Sequence, residues 1–293
     1  LGGDTSDGTV AVIEMASASG LALLPPEARD PWQATSYGTG QLIRAAAGLK
    51  AGLVLLGVGG SATNDLGLGA LSALGFECRG ADGANLRPPI PAVWPRLARI
   101  EGQLPASRPP IRIACDVSNP LLGPRGATAV FGPQKGLRPR DYDRLEAECA
   151  RVSALLADAC GASGALAEAP GAGAAGGIAF GLMTAARARL LPGSDLVGAW
   201  LDLEARLAAA DLVLTGEGRF DASSLGGKGP GALALRAAAL GKPVHVFAGQ
   251  VEAGPGSAGL KLHAITPAGM PLPEALRTAG DHLGAAVQAE FRG

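Results

Sequence analysis

The chain is poor in aromatic residues and in charge, and its charges nearly balance. Only 4% of its 293 residues are aromatic and 17% are charged, with a formal net charge of -1. Because basic residues neither dominate nor cluster, the sequence offers no electrostatic surface for nucleic acid or for an anionic membrane. We therefore predict small-molecule partners, with no nucleic acid and no membrane among them.

Cysteine is also scarce and carries no recognisable pattern. Cys78, Cys115, Cys149 and Cys160 include no CxxC pair and no Cys/His grouping at zinc spacing. No apolar run reaches the roughly 18 residues that span a bilayer, and no basic segment followed by an apolar one begins the chain. These absences predict a cytoplasmic protein with reduced thiols and no disulfide scaffold.

Histidine is rarer still. His245, His263 and His282 fall on two predicted strands and a terminal helix, without acidic or cysteine neighbours at motif spacing. We interpret all three as structural residues.

Glycine, by contrast, is abundant, with 45 residues. A GC-rich genome is an alternative source of part of this excess, but the glycines gather at the ends of apolar runs. Four segments stand out: GVGGSATND at 57–65, CDVSNPLLGPRGA at 115–127, GAGAAGG at 171–177 and TGEGRFDASSLGGKGP at 215–230. Since glycine lets backbone N–H groups and helix starts approach an anion, these loops together suggest a phosphate-bearing ligand.

Apolar runs alternate with helical periodicity, which predicts an α/β fold with parallel strands. Strands are predicted at 10–15, 53–58, 111–115, 211–215, 244–248 and 262–265, and helices at 35–49, 66–74, 141–160, 173–190, 230–240 and 273–291. Residues 80–110, rich in Pro, Arg and Ala, are the least regular part. We predict that they form a surface excursion.

None of the glycine loops completes a nucleotide-binding motif. GVGGSA does not satisfy GxGxxG and no GxxxxGK[ST] occurs, so neither a Rossmann oxidoreductase nor a Walker A loop is favoured. Phosphoryl transfer needs cations for the transferred group, carboxylate or amide oxygens for a metal, and a group that positions the attacking hydroxyl. Residues of these types in the loops are Lys135, Lys228, Asn64, Asp65, Asp116, Asn119, Glu217 and Asp221.

Structural roles compete with these chemical ones. Asp65 and Asp116 also fit an N-cap and a turn former, and Lys135 also fits a solvated loop charge. Lys228 is harder to explain in that way, because a cation just before a helix is unfavourable unless an anion binds there.

Seven blocks of the sequence resemble the type I glycerate kinases, in that family's order. They are IEMASASGL (13–21), TSYGTGQLI (35–43), GVGGSATND (57–65), ACDVSNPLLGPRGA (114–127), VFGPQKG (130–136), PGAGAAGGIAFGL (170–182) and TGEGRFDASSLGGKGP (215–230). The resemblance implies ATP- and Mg²⁺-dependent phosphorylation of D-glycerate, usually at the 2-hydroxyl to give 2-phosphoglycerate. It also implies two α/β domains, one Rossmann-like with a mostly parallel sheet and one inserted.

On this basis we expect residues 1–194 to form the inserted domain with linking elements, and 195–293 the C-terminal part of the Rossmann-like domain. A homo-oligomer is left open. The expected catalytic residues are Asp116, Asp65 and Lys228. The expected binding residues are Gly59, Gly60, Ser61, Asn64, Asn119, Lys135, Gly216, Glu217, Gly218, Asp221 and Gly227, with Asp221 and Glu217 as Mg²⁺ ligands.

Departures from the family accompany the resemblance. Blocks resembling APDSFKGS and ADGGEGT, which precede the first matched block in the family, are missing, and the chain begins at Leu1 without Met. This predicts an N-terminal truncation, and an alternative function follows: a catalytically inactive ligand-binding remnant of the same fold. Leu66 stands where the family typically has Gly, and Ser223 where it typically has Gln.

Overall fold

The computed structural model describes residues 8–106, 108–222, 224–225, 229–252 and 259–292. The chain divides after Gly193 into two compact units. Among the described residues, no helix combines the length and the hydropathy needed to cross a bilayer. The assignment of the two units to an inserted and a Rossmann-like domain stays a prediction.

Strands and helices alternate along most of the chain. The strands are Val10–Glu14 (β1), Leu53–Gly57 (β2), Glu77–Gly80 (β3), Leu97–Glu101 (β4), Ile111–Ala114 (β5), Arg189–Leu191 (β6), Val213–Phe220 (β7), Val244–Val251 (β8) and Leu260–Ala264 (β9). The helices are Ala16–Ser19 (α1), Tyr37–Gly48 (α2), Leu68–Ala73 (α3), Ala127–Phe131 (α4), Tyr142–Cys160 (α5), Ala174–Ala186 (α6), Gly193–Trp200 (α7), Leu203–Ala209 (α8), Gly229–Ala239 (α9) and Leu272–Phe291 (α10). The α/β class is therefore confirmed.

The first unit is organised around a parallel sheet with the order β1-β2-β5-β6. Leu56 of β2 pairs with Ile13 on one side and Ile113 on the other, and all three side chains are buried. Continuous apolar strands of this kind are typical of a parallel sheet covered on both faces. Because the strands run in one direction, the loops that follow β2 and β5 leave the sheet at the same edge.

Residues 80–110 do not form the irregular excursion that the sequence suggested. Part of this segment pairs as the antiparallel hairpin β3–β4, with Cys78 opposite Ile100. Trp94 precedes β4 and is fully buried, and its indole N–H donates to the Pro89 carbonyl at 3.0 Å. The prolines and arginines of this segment suggested irregular structure, but its spaced apolar side chains are buried and fix its packing. They are Leu86, Ile90, Trp94, Leu97 and Ile100.

The predicted helix at 173–190 is also wrong at both ends. Its first turn contains three residues in left-handed conformation, Ala175, Gly176 and Gly177, and its last predicted residues form strand β6. A Cβ on Gly176 would lie 1.9 Å from the Thr63 carbonyl oxygen. These glycines thus allow α6 to pack tightly against the loop after β2, a reason different from the anion contact that their number suggested.

The second unit holds the parallel sheet β7-β8-β9. Its core includes Phe220, Ala234 and Val246, all buried. Strand β7 continues to Phe220, so Gly216, Glu217 and Gly218 lie in a strand and not in the predicted loop. Cross-strand pairing decides this, since Glu217 pairs with Ala248 of β8.

Candidate active site

A cavity of about 390 Å³ lies where the loops after β2 and β5 meet. The β2 loop contributes Gly59, Gly60 and Ser61, and the β5 loop contributes Asp116. Lys135 enters from the short 3-10 helix Pro133–Lys135. The structure thus brings together five of the residues that the sequence singled out, from three separate segments.

Lys135 is the strongest electrostatic feature of this cavity. Its side chain is 1% exposed, and its ammonium donates to Ser61 Oγ at 3.0 Å and to the Thr63 carbonyl at 2.7 Å. Burial lowers the pKa of Lys135 from 10.5 to about 8, while the charge of Asp65 raises it in part. No carboxylate of the described residues forms a salt bridge with it. A buried cation with two neutral acceptors is suited to an anionic ligand.

Asp116 differs from Lys135 in being exposed. It lies two residues after the end of β5, and its Oδ1 accepts the N–H of Gly193 at 2.8 Å. The exposed carboxylate lines the same cavity as the buried ammonium. The cavity therefore combines a fixed cation and a solvent-accessible base, the two charge types that transfer onto a hydroxyl of an anionic substrate requires.

Asp65 occupies a very different place from the one expected of a catalytic residue. It is 0% exposed and does not line the cavity. Its carboxylate accepts hydrogen bonds from the Ser36 N–H at 2.7 Å, the Ser36 hydroxyl at 2.8 Å, the Gly67 N–H at 3.1 Å and the Gly69 N–H at 3.2 Å. Burial raises the pKa of Asp65, and these hydrogen bonds oppose the rise. We reassign Asp65 as a positioning residue that fixes the β2 loop and the start of α3.

Asn64 and Asn119, two expected binding residues, are also absent from the lining of this cavity. Asn64 is fully buried, and its Nδ2 lies 3.4 Å from Thr128 Oγ1. Asn119 donates from Nδ2 to the Arg125 carbonyl at 2.7 Å, and its own carbonyl accepts the N–H of Gly173 at 3.0 Å. Neither lines the cavity, so both shape the loops that do.

Two cavity residues were missed in the sequence. Gln134 lines the cavity beside Lys135, and its place in FGPQKG was a signal available to sequence reasoning. Cys115 also lines it, but burial raises the pKa of its thiol and its Sγ donates to the Val117 carbonyl at 3.3 Å. The thiol is thus held in its unreactive neutral form, which argues against a covalent step.

A second cavity in this unit is larger, at about 680 Å³, and lies away from the strand ends. Arg29, Arg138 and Arg144 line it together with Asp30 and Asp141, so cations and anions alternate. One of these arginines, Arg144, stacks over the ring of Trp32 at 4.7 Å. The charges of the larger cavity offset one another, whereas the smaller cavity presents the buried Lys135 ammonium without a salt bridge to a described carboxylate. We therefore favour the smaller cavity as the candidate active site.

Comparison with known proteins identifies the family of this chain. The model of the glycerate kinase family matches residues 3–292. This chain belongs to the glycerate kinase family. It is 42% identical over 258 residues to the glycerate kinase of Haemophilus influenzae, covering 84% of this chain and 65% of that protein. It is 39% identical over 260 residues to the glycerate 2-kinase of Escherichia coli, covering 85% and 65%. The chain thus spans slightly less than two thirds of these two relatives.

A solved structure shows the same fold over nearly the whole chain. The crystal structure of a protein assigned as glycerate kinase 2 from Salmonella typhimurium LT2 matches with a TM-score of 0.74 at 38% identity. The match covers 99% of this chain and 78% of that one. At this identity the likeness supports the family as well as the fold.

Within the glycerate kinase family, Leu66 is the departure that the structure explains best. Its φ is +52°, a left-handed conformation that favours the glycine typical of the family at this position. The strain costs about 1–2 kcal/mol. In return the leucine side chain is 0% exposed, and burying a leucine contributes about 1.5–3 kcal/mol. A leucine at this position therefore strains the backbone but adds a buried side chain to the core.

In the second unit, one carboxylate of the residues expected to bind ligand has a buried oxygen without a hydrogen-bond partner among the described residues. Glu217 Oε1 is buried and has no hydrogen-bond partner in the described part of the chain. Asp221 lies 3.3 Å from the Arg219 guanidinium, which competes with a metal for its carboxylate. Glu217 thus fits a Mg²⁺ ligand better than Asp221 does. Gly227, Lys228 and Ser223 lie outside the described residues.

Proposed function

We propose that this protein phosphorylates D-glycerate with ATP and yields 2-phosphoglycerate. The observation that carries the proposal is the convergence of Lys135 and Asp116 on one cavity, at the edge where a parallel sheet places its ligand loops. The names of the relatives agree with this activity. We place the reaction in the cytoplasm, as the unpaired cysteines suggest.

In this proposal Lys135 binds anionic oxygen. Its ammonium is oriented by Ser61 and Thr63 and has one remaining N–H for a ligand, since an ammonium carries three donors. A carboxylate or a phosphoryl oxygen entering the cavity would complete its hydrogen bonds and stabilise its charged form. D-Glycerate provides the first of these groups and the reaction product provides both.

Asp116 is the residue that acts on the hydroxyl. Its Oδ1 accepts the Gly193 N–H, and the residue is exposed and lines the cavity. An oriented carboxylate accepts the hydroxyl proton as the oxygen attacks phosphorus. Because the E. coli relative is named a glycerate 2-kinase, we propose the 2-hydroxyl as the acceptor.

Glu217 is the proposed Mg²⁺ ligand of the second unit, with Asp221 as a weaker candidate. When bound, Mg²⁺ would neutralise charge on the nucleotide phosphates. Lys228, just before α9, remains a proposed phosphate contact on the sequence argument alone. Gly216 and Gly218, which flank Glu217, keep the strand free of side chains next to this carboxylate.

The test is turnover measured on this chain. Coupled ADP release with D-glycerate and Mg-ATP should show activity that falls at least about 100-fold in Asp116→Asn, and ³¹P NMR of the product should show a 2-phosphate. Calorimetric titration with D-glycerate and with Mg-ATP is run in parallel. Binding of both ligands without ADP release would favour the inactive remnant. The absence of both binding and ADP release would overturn the assignment.

A further inference from the structure

Two histidines that are distant in the sequence lie together in the second unit. His245 of β8 and His263 of β9 are 18 residues apart, and their Nδ1 and Nε2 atoms lie 3.1 Å apart. Glu290, near the end of α10, completes the group, with its Oε1 at 3.6 Å from His245 Nδ1. Sequence spacing could not reveal this cluster because parallel pairing of β8 with β9 creates it.

The spacing of these atoms matches a tetrahedral metal site. Bonds of about 2.0–2.1 Å to imidazole nitrogen and carboxylate oxygen place tetrahedral ligand atoms roughly 3.3 Å apart. The observed separations of 3.1 Å and 3.6 Å bracket that value. One ligand atom from each residue lies within 4.8 Å of the other two, so small side-chain rotations suffice for convergence.

The surroundings restrict both rings and limit water. Phe247 stacks on His263 with ring centroids 4.4 Å apart, and Phe291 packs against His245 at 4.9 Å. The His245 side chain is 4% exposed and that of His263 is 19% exposed. The 28% exposure of the Glu290 side chain leaves an access route for an ion and for a water ligand.

One nearby cation opposes metal binding. The Lys261 ammonium lies 3.4 Å from Glu290 Oε1, although its own side chain is 68% exposed. Because the lysine is exposed to solvent, its ion pair with Glu290 contributes little. It would be displaced by a divalent ion held by three ligands.

We infer that His245, His263 and Glu290 form a binding site for a divalent transition metal of the Zn²⁺ type, which fastens the end of α10 to strands β8 and β9. Two imidazoles and one carboxylate suit Zn²⁺ and Co²⁺ and disfavour the all-oxygen preference of Mg²⁺. The site lies on other residues than the proposed kinase chemistry and is independent of it. The competing interpretation is a hydrogen-bonded His–His–Glu network without metal.

The experiment titrates the tag-free protein with Zn²⁺ against a chromophoric chelator and with Co²⁺ under visible spectroscopy. We expect one Zn²⁺ per chain, a tetrahedral Co²⁺ spectrum and a higher melting temperature with Zn²⁺. His263→Ala and Glu290→Gln should each weaken Zn²⁺ binding at least about 10-fold. Losing the hydrogen-bond partner of a metal ligand already costs about 10–100-fold, and losing the ligand itself costs more. Lys261→Ala should strengthen it, because the competing cation is gone.

His282→Gln is the matched control, since His282 lies on the same helix as Glu290 but outside the cluster. It should bind Zn²⁺ as the wild type does. Metal affinity should also fall at acidic pH, because protons compete for the same nitrogens. Absence of Zn²⁺ binding would leave only the hydrogen-bonded network and overturn the proposal. Zn²⁺ binding that survives in the His263→Ala/Glu290→Gln double variant would place the metal elsewhere and overturn it as well.

Discussion

The loops after β2 and β5 leave one edge of the same parallel sheet, and each carries an aspartate, yet the two carboxylates differ in every physical respect. Asp65 is buried beneath the surface and accepts four hydrogen bonds. Asp116 is exposed to the cavity and oriented by the Gly193 N–H. Aspartates in the loops after neighbouring strands therefore differ in burial and in hydrogen bonding, and only Asp116 lines the cavity.

Lys135 links these two loops. It donates to Ser61 and Thr63 of the first and lines the cavity beside Asp116 of the second. The buried β2 loop thus holds the ammonium in place, and the exposed β5 loop presents the Asp116 carboxylate to the cavity. We therefore expect substitution of Asp65 to lower mainly stability and substitution of Asp116 to lower mainly activity.

Asp65→Ala should produce the largest effect, a loss of roughly 3–5 kcal/mol in the free energy of unfolding. The substitution leaves buried N–H and hydroxyl donors of Ser36, Gly67 and Gly69 without an acceptor. Urea denaturation followed by circular dichroism measures it. The matched variant Asp116→Ala changes an exposed side chain and should cost less, about 1 kcal/mol. Equal losses in the two variants would remove the distinction between the loops.

Asp116→Asn should lower kcat about 100-fold, equivalent to roughly 2.7 kcal/mol, while the melting temperature stays close to that of the wild type. An amide keeps the acceptor for Gly193 but cannot take up the hydroxyl proton. Steady-state ADP release and a thermal melt on the same preparation make the comparison. If activity and melting temperature fell together, the residue would be architectural like Asp65.

Lys135 should make stability depend on pH. Burial depresses its pKa from 10.5 to about 8, so above pH 8 the folded chain releases a proton that the unfolded chain keeps up to about pH 10.5. Since the unfolded state then binds more protons, stability rises with pH in this window. Relative to Lys135→Met, the wild type should gain roughly 2–3 kcal/mol between pH 7.5 and pH 10.

Urea denaturation at the two pH values measures this gain, and subtracting the Lys135→Met data removes titrations common to both proteins. A difference that does not change with pH would mean that Lys135 is solvated. The same variant should bind D-glycerate more weakly, as the cavity would lack its cation.

The two cavity glycines of the β2 loop should show the smallest effects. Gly60 has a φ of +64°, and an added Cβ at Gly59 would meet nothing within 4 Å. Gly60→Ala should therefore cost about 1 kcal/mol of stability and Gly59→Ala less than about 0.5 kcal/mol. Thermal melts test this, and a KM that rises in Gly59→Ala at unchanged stability would show that its missing side chain makes room for substrate.

Much of the fold was predictable because parallel strands and amphipathic helices have strong local signals. The run Leu53–Gly57 is apolar without interruption, and the strand formed there. The hairpin β3–β4 and strand β6 were not predictable, since short strands with exposed charges depend on partners far along the chain. Glu217 was placed in a loop for a similar reason: its glycine neighbours indicate a turn, and only pairing with β8 extends the strand.

The sequence by itself determined the α/β class, the loops that follow β2 and β5 and the residue types that phosphoryl transfer would need. Local periodicity and glycine placement carry that information in the order of residues. Tertiary structure alone decided which carboxylate is exposed, how deeply Lys135 is buried and that His245 and His263 lie side by side. Burial and proximity between distant segments are properties of packing, and no local pattern records them.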